Sequence, residues 1–118
     1  DGGKSWSPYE VLDIKNPNSA VYGFNDAKGR AWMIFNDSTR DVEHSRNNLA
    51  LAVSDASFRN WKTVHYFENP NLNADVDAKY AYPWLTKTLN NEFNLLYTVD
   101  RKQIKHLQFN QSWLEELL

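Results

Sequence analysis

The hexapeptide DGGKSW, Asp1 to Trp6, decides how the rest of this chain is read. Gly2 and Gly3 admit the positive backbone φ that a tight turn needs and other residues avoid, so the stretch predicts a hairpin tip. One Asp-Gly turn occurs in any β protein; recurrence is what carries information. SDASFRNW, Ser54 to Trp61, lines up with DGGKSW so that Trp61 matches Trp6, and FNQSW leads into Trp113. Three tryptophan corners therefore return at a period of about fifty to fifty-five residues, the span of a four-stranded repeat unit.

Between the corners the order of segments also repeats. AWMIFND (Ala31 to Asp37) is followed by NNLALAVSD (Asn47 to Asp55), and FNLLYTVD (Phe93 to Asp100) by KQIKHLQFN (Lys102 to Asn110). Apolar runs of strand length lie at Ala20–Phe24, Ala31–Phe35, Leu49–Val53, Val64–Phe67, Tyr82–Leu85, Phe93–Tyr97 and Ile104–Phe109, separated by Asn-Asp, Lys-Gly and Asn-Asn turns. That punctuation predicts an all-β, antiparallel chain. WLEELL, Trp113 to Leu118, reads either as a helix or as a last strand cut short.

Composition narrows the function classes. A chain of 118 residues holds one small core. A net charge of −2 leaves no basic stripe, which argues against nucleic acid as a partner. No run of about 18 apolar residues and no charged-then-apolar leader occurs, so neither a membrane span nor a signal peptide is read here, and what precedes Asp1 stays open. The absence of cysteine excludes disulfides and thiolate metal sites and leaves the compartment undecided. His44, His65 and His106 show no metal-ligand spacing, and no phosphate loop or nucleophile elbow is present, so no metal and no cofactor are expected. Five Trp, six Tyr and six Phe suit both strands and sugar-binding surfaces.

DGGKSW fits the Asp-box, D-x-G-x-[ST]-W, the turn between the third and fourth strands of blades in sialidase-like (neuraminidase-like) β-propellers. In that turn the Asp1 carboxylate would cap backbone N–H groups, with Gly3 and Ser5 at the box positions and Trp6 packed between strands. The second box is eroded, with Ala56 in place of the Asp and Phe58 in place of the second Gly. NPNSAV (Asn16 to Val21), AWMIFNDSTR, RNNLALAVSD (Arg46 to Asp55), AYPWL (Ala81 to Leu85), LLYTVDRKQIKH and the closing WL, in that order, resemble the final two blades of the bacterial neuraminidase family with BNR repeats, over Asp1 to Leu114. The fold this implies is two four-stranded antiparallel blades of a six-bladed propeller, roughly Ser19–Phe67 and Tyr80–Trp113, preceded by the fourth strand of another blade at Tyr9–Ile14. The divisions fall at 1–18, 19–79 and 80–118. Two blades cannot close a ring that needs about 4–8, so closure requires further blades of a longer chain or a homo-oligomer, three copies giving six blades.

The resemblance also implies chemistry. In sialidases three arginines from different blades clamp the sugar carboxylate, a tyrosine paired with a glutamate is the nucleophile, and an aspartate is the acid/base. A planar guanidinium binds a carboxylate bidentately. A phenol is the attacking group because the anomeric carbon already bears a carboxylate that repels another, and its ordinary pKa of about 10 demands a neighbouring base. By the resemblance Arg46 is the third clamp arginine and Tyr82 the nucleophile, with Asn18 and Ser19, after Asn16, lining the pocket. Two positions depart from the family pattern: Pro83 stands in place of a Ser, and Thr98 where a glutamate orienting an arginine is frequent.

Each of these residues also has a plainer reading. Arg46 ends the charged loop DSTRDVEHSR and suits solvent; Tyr82 suits the core; Asn16, Asn18 and Ser19 suit an Asx turn. Asp37, Asp41 and Glu43 form a candidate acid cluster or an ordinary acidic loop, and Trp32 and Trp84 read as core rather than sugar platforms. The expectation is part of a retaining glycosidase of the sialidase type acting on carbohydrate, with a non-catalytic, lectin-like propeller module as the alternative. Family analogy suggests a secreted or periplasmic setting.

Overall fold

The computed structural model describes residues 1–72 and 75–118. Seven strands and one short helix follow one another among them: β1 (Tyr22–Asn25), β2 (Ala31–Phe35), β3 (Leu49–Ser54), β4 (Trp61–Glu68), β5 (Tyr80–Lys87), β6 (Glu92–Val99), β7 (Gln103–Asn110) and α1 (Gln111–Glu116). Each apolar run expected as a strand overlaps one of the seven. The strands pair in chain order into a four-stranded sheet, β1-β2-β3-β4, and a three-stranded sheet, β5-β6-β7, antiparallel throughout.

The period-2 pattern explains how the sheets meet. Trp32 and Ile34 of β2 and Leu49, Leu51 and Val53 of β3 share one face, which packs on Leu85, Phe93, Leu95 and Tyr97 of the second sheet in one buried core. The intervening residues Phe35, Ala50 and Ala52 face the other way into a smaller cluster covered by Ile14, Met33, Trp61 and Tyr66. With both faces covered, β3 is a run of buried small and branched residues, LALAV. Phe24, Phe93, Phe109 and Trp113 continue the core as an aromatic chain with centroids 5.0–5.4 Å apart between successive rings.

Four expectations are corrected. Tyr9–Ile14 forms no strand: it has no neighbour to share a ladder with, and Ile14 instead lies across the outer cluster of the first sheet by its side chain. The second sheet has three strands, not four. After β7 the Asn110 side chain accepts a hydrogen bond from the Trp113 N–H at 2.9 Å and starts α1, so Trp113 sits in the first turn of a helix that buries Leu114, not at a hairpin corner. Trp6, expected between strands, is 88 % exposed, because no strand of the described residues flanks it.

Antiparallel order sends the connections to two opposite ends. The turns after β1, β3 and β5 and helix α1 lie at one, here the turn end. The lead-in Asn16–Ser19, the long loop between β2 and β3, the described parts of the β4–β5 connection and the turn after β6 lie at the other, the loop end.

Candidate functional site

At the turn end carboxylates close the turns. Asp1 accepts from the Lys4 N–H at 3.0 Å and from the Ser5 hydroxyl. In the eroded second copy the job passes to Asp55, one residue earlier. Its side chain accepts from the Ser57 N–H at 3.0 Å, the Ser57 hydroxyl at 2.5 Å and the Asn60 amide at 2.6 Å, while Phe58 takes φ +60° where a glycine is expected. These bonds from Ser57 and Asn60 hold the Asp55 carboxyl down at about 2. Trp61 donates its indole N–H to the Phe58 carbonyl at 3.1 Å. In the β1–β2 turn, buried Asp26 binds the Arg30 guanidinium at 2.6 Å, the Arg30 N–H at 2.9 Å and the Trp32 indole at 3.1 Å. Burial works against its ionisation, but the bonds from Arg30, Trp32 and Gln111 outweigh burial and hold it at about 2. Asp26 and Asp55 are thus spent on backbone and neighbours.

The loop end is organised around the buried side chain of Asn36, which follows β2. Its amide donates to the Asn48 carbonyl at 2.6 Å and to the Tyr80 carbonyl at 2.9 Å, and its oxygen accepts from the Ser19 hydroxyl at 2.5 Å. One side chain thus joins the lead-in, the β2–β3 loop and the start of β5. Beside it the Tyr80 N–H donates to the Arg46 carbonyl at 2.8 Å. The Arg46 guanidinium donates to the Asn18 carbonyl at 3.2 Å, which leaves most of its fork unused. Asn18, Ser19 and Arg46 are therefore brought together, Asn18 through its backbone and Ser19 as a support. Asn16 makes the turn its sequence suggests, its side chain accepting from the Ser19 N–H at 2.9 Å.

Against Arg46 opens a cavity of about 340 Å³, lined by His44, Ser45, Arg46, Lys79, Ala81 and Arg101. Of the seven non-glycine residues with positive φ among the described residues, Asn18, His44, Tyr82, Asp100 and Arg101 lie at the loop end, and Phe58 and Asn91 at the turn end. Tyr82 has φ +55° and precedes Pro83, in a bulge where β5 slips register against β6 between Ala81 and Trp84. Pro83 fits because β5 is an edge strand and the bulge removes its slot from the ladder. The bulge turns Tyr82 outward, 56 % exposed, next to the lining residue Ala81 but not itself in the cavity lining.

The family model of the BNR repeat-like domain matches residues 1–95 of the 118. The chain belongs to the BNR repeat-like domain family. No curated protein and no solved structure matches it. In this BNR repeat-like domain carboxylates cap backbone at both ends, Asp26 and Asp55 at the turn end and Asp100 at the loop end.

The tyrosine and glutamate that do meet are elsewhere. Glu68, 1 % exposed, accepts from the Tyr97 hydroxyl at 2.6 Å and from the Lys105 ammonium. Burial, reinforced by the Glu68 carboxylate, pushes the Tyr97 phenol up, the opposite of an activated nucleophile, so this pair is a structural tie between sheets. Asp37 of the candidate acid cluster is likewise occupied, accepting from the Tyr66 hydroxyl at 2.6 Å, a bond that pushes Tyr66 up to about 12, whereas Asp41 and Glu43 are exposed. Trp32 is core and Trp84 is exposed, its ring edge-on to Tyr22 at 5.5 Å. Thr98 donates its hydroxyl to the Ala81 carbonyl at 3.0 Å, bracing the bulge. Among the described residues no carboxylate bonds the Tyr82 hydroxyl, and no group of three or more His, Asp or Glu is arranged to hold a metal ion. Sequence reasoning missed Lys79 and Arg101 as partners of Arg46; the signal was a charged turn, DRK, at the same end of the sheets.

Proposed function

We propose that the loop end is the acidic-sugar site of a sialidase-like β-propeller, the four-stranded sheet being one blade and the three-stranded sheet part of the next. Arg46 takes the sugar carboxylate through its unused fork. Tyr82 is the nucleophile of retaining hydrolysis: its phenol oxygen bonds the anomeric carbon, the leaving-group oxygen departs with a proton from an acid, and water then releases the sugar. What supports this is one observation, the cationic cavity around Arg46 with the outward-turned Tyr82 on the adjacent bulge. Base and acid would be supplied by residues outside those described here, in further blades of a longer chain or in a ring of copies, three of which make six blades.

The missing carboxylate beside Tyr82 favours a second reading, a lectin-like module that binds the sugar and does not cleave it. One set of assays separates the two. Titration with N-acetylneuraminate and D-glucuronate, followed by amide shifts, should show binding that Arg46→Ala weakens at least about tenfold. With an aryl sialoside, Tyr82→Phe should abolish turnover and spare binding. Turnover that survives in Tyr82→Phe removes the nucleophile assignment, and binding without turnover in the wild type selects the lectin. Light scattering checks assembly: a mass near three times 13.8 kDa supports the ring of copies.

A further inference from the structure

The cavity beside Arg46 carries more positive charge than one carboxylate can answer. Arg46, Lys79 and Arg101 all line it, and none of the three has a carboxylate within ion-pair distance among the described residues. The fourth basic group, His44, is the one that is matched, its Nε2 lying 3.1 Å from Asp77 and 3.5 Å from Glu43. This happens in a chain with 15 acidic and 13 cationic side chains, where each unpaired cation had acidic residues to choose from.

The arrangement is held in place by dedicated contacts. The Asp100 side chain accepts from the Lys79 N–H at 2.8 Å, and the Asp100 N–H donates to the Lys79 carbonyl at 2.8 Å. This reciprocal pair clips the β6–β7 turn to the start of β5. Asp100 and Arg101 are the central residues of the turn closed by the Lys102 N–H on the Val99 carbonyl at 3.0 Å, and both take positive φ, +55° and +58°, as a type I′ hairpin turn requires. The turn thus fixes Arg101 at the cavity wall, where with Arg46 and Lys79 it makes a local concentration of positive charge that favours an anion.

We infer that Arg101, with Lys79, is a second anion-recognition element, and that the site takes an acidic sugar carrying two anionic groups, a carboxylate on Arg46 and a sulfate ester or second carboxylate on Arg101 and Lys79. The inference rests on the acidic-sugar reading of Arg46 given above. Within that reading it names the substrate class and a specificity-determining residue that the family resemblance does not supply. A cavity of about 340 Å³ is at the small end of ligand sites, which run roughly 300–1,000 Å³, and suits one substituted monosaccharide unit.

The test compares N-acetylneuraminate and D-glucuronate with their mono-sulfate esters, binding each to the wild type, Arg101→Gln and Arg46→Ala by calorimetry. The wild type should prefer the sulfated form by about tenfold or more, with a steeper loss on adding salt. Arg101→Gln should erase that preference, lowering affinity for the sulfated sugar by a larger factor than for the unsulfated one. Arg46→Ala should weaken both. An equal wild-type affinity for both forms, or a preference that persists in Arg101→Gln, overturns the inference while leaving the Arg46 reading intact. Sulfated-sugar binding lost in Arg101→Gln but kept in Arg46→Ala instead removes Arg46 as the carboxylate ligand. Binding of none of the four sugars overturns both.

Discussion

The two ends of these sheets use charge in opposite ways. At the turn end Asp26 and Asp55 accept several hydrogen bonds each from N–H, hydroxyl, amide and guanidinium donors. At the loop end Arg46, Lys79 and Arg101 line one cavity without an ion pair of their own among the described residues, and carboxylates stand only beside the fourth basic residue, His44. Charge at the first end has been consumed by the fold; charge at the second is left over. The buried Asp26, its oxygens filled by donors, belongs to the scaffold, whereas Arg46, with one guanidinium bond to the Asn18 carbonyl, and the exposed Lys79 and Arg101 keep donors open to a ligand.

Substitutions break or sharpen this contrast. The largest effect is expected at Asp26. Replacing it with Ala removes a buried ion pair to Arg30 and the partner of the Trp32 indole, and should lower unfolding free energy by about 3 kcal/mol in urea titrations. The same carboxylate gives a pH signature. Its folded pKa of about 2 lies below the usual 3.8, so its contribution, about 2 kcal/mol, is complete above roughly pH 4 and fades as pH falls through 2. The stability gap between wild type and Asp26→Ala should therefore narrow between pH 5 and pH 2, and a constant gap contradicts the pairing. Next is Asn36→Ala, which removes the buried amide that donates to the Asn48 and Tyr80 carbonyls and should cost about 2 kcal/mol by thermal unfolding. The smallest change is expected at the loop end and in the opposite direction. Arg101→Gly relieves a positive φ and a repulsion, and should raise stability by about 0.5 kcal/mol while weakening anion binding. A destabilised Arg101→Gly would mean that this arginine, like Asp26, belongs to the scaffold.

Much of the fold was legible because strands announce themselves twice, by apolar runs of β length and by turn residues between them. The placement of Asn18, Ser19 and Arg46 at one end followed from strand order. Other features were hidden for physical reasons. Aligning on Trp61 fixes the spacing to the tryptophan, so a turn whose capping carboxylate sits one residue earlier, at Asp55, looks eroded when it is intact. Trp113 has the same polar approach as a corner tryptophan, but Asn110 caps a helix there, and a cap and an Asx turn use the same side-chain chemistry. Lys79 and Arg101 were invisible as ligands because a charged residue in a turn reads as solvated. Only the closure of the second sheet against the first, through Tyr80 and Arg46, brings positions 46, 79 and 101 to one cavity.

The strand order has a consequence for how such a chain is made. Within each sheet every strand after the first lies beside the one synthesised just before it, so each hairpin can form as it leaves the ribosome. Arg46 emerges early, yet the wall opposite it waits for Lys79, Ala81 and Arg101 on the second sheet. The first sheet is therefore expected to become ordered during synthesis well before there is anywhere for a ligand to bind.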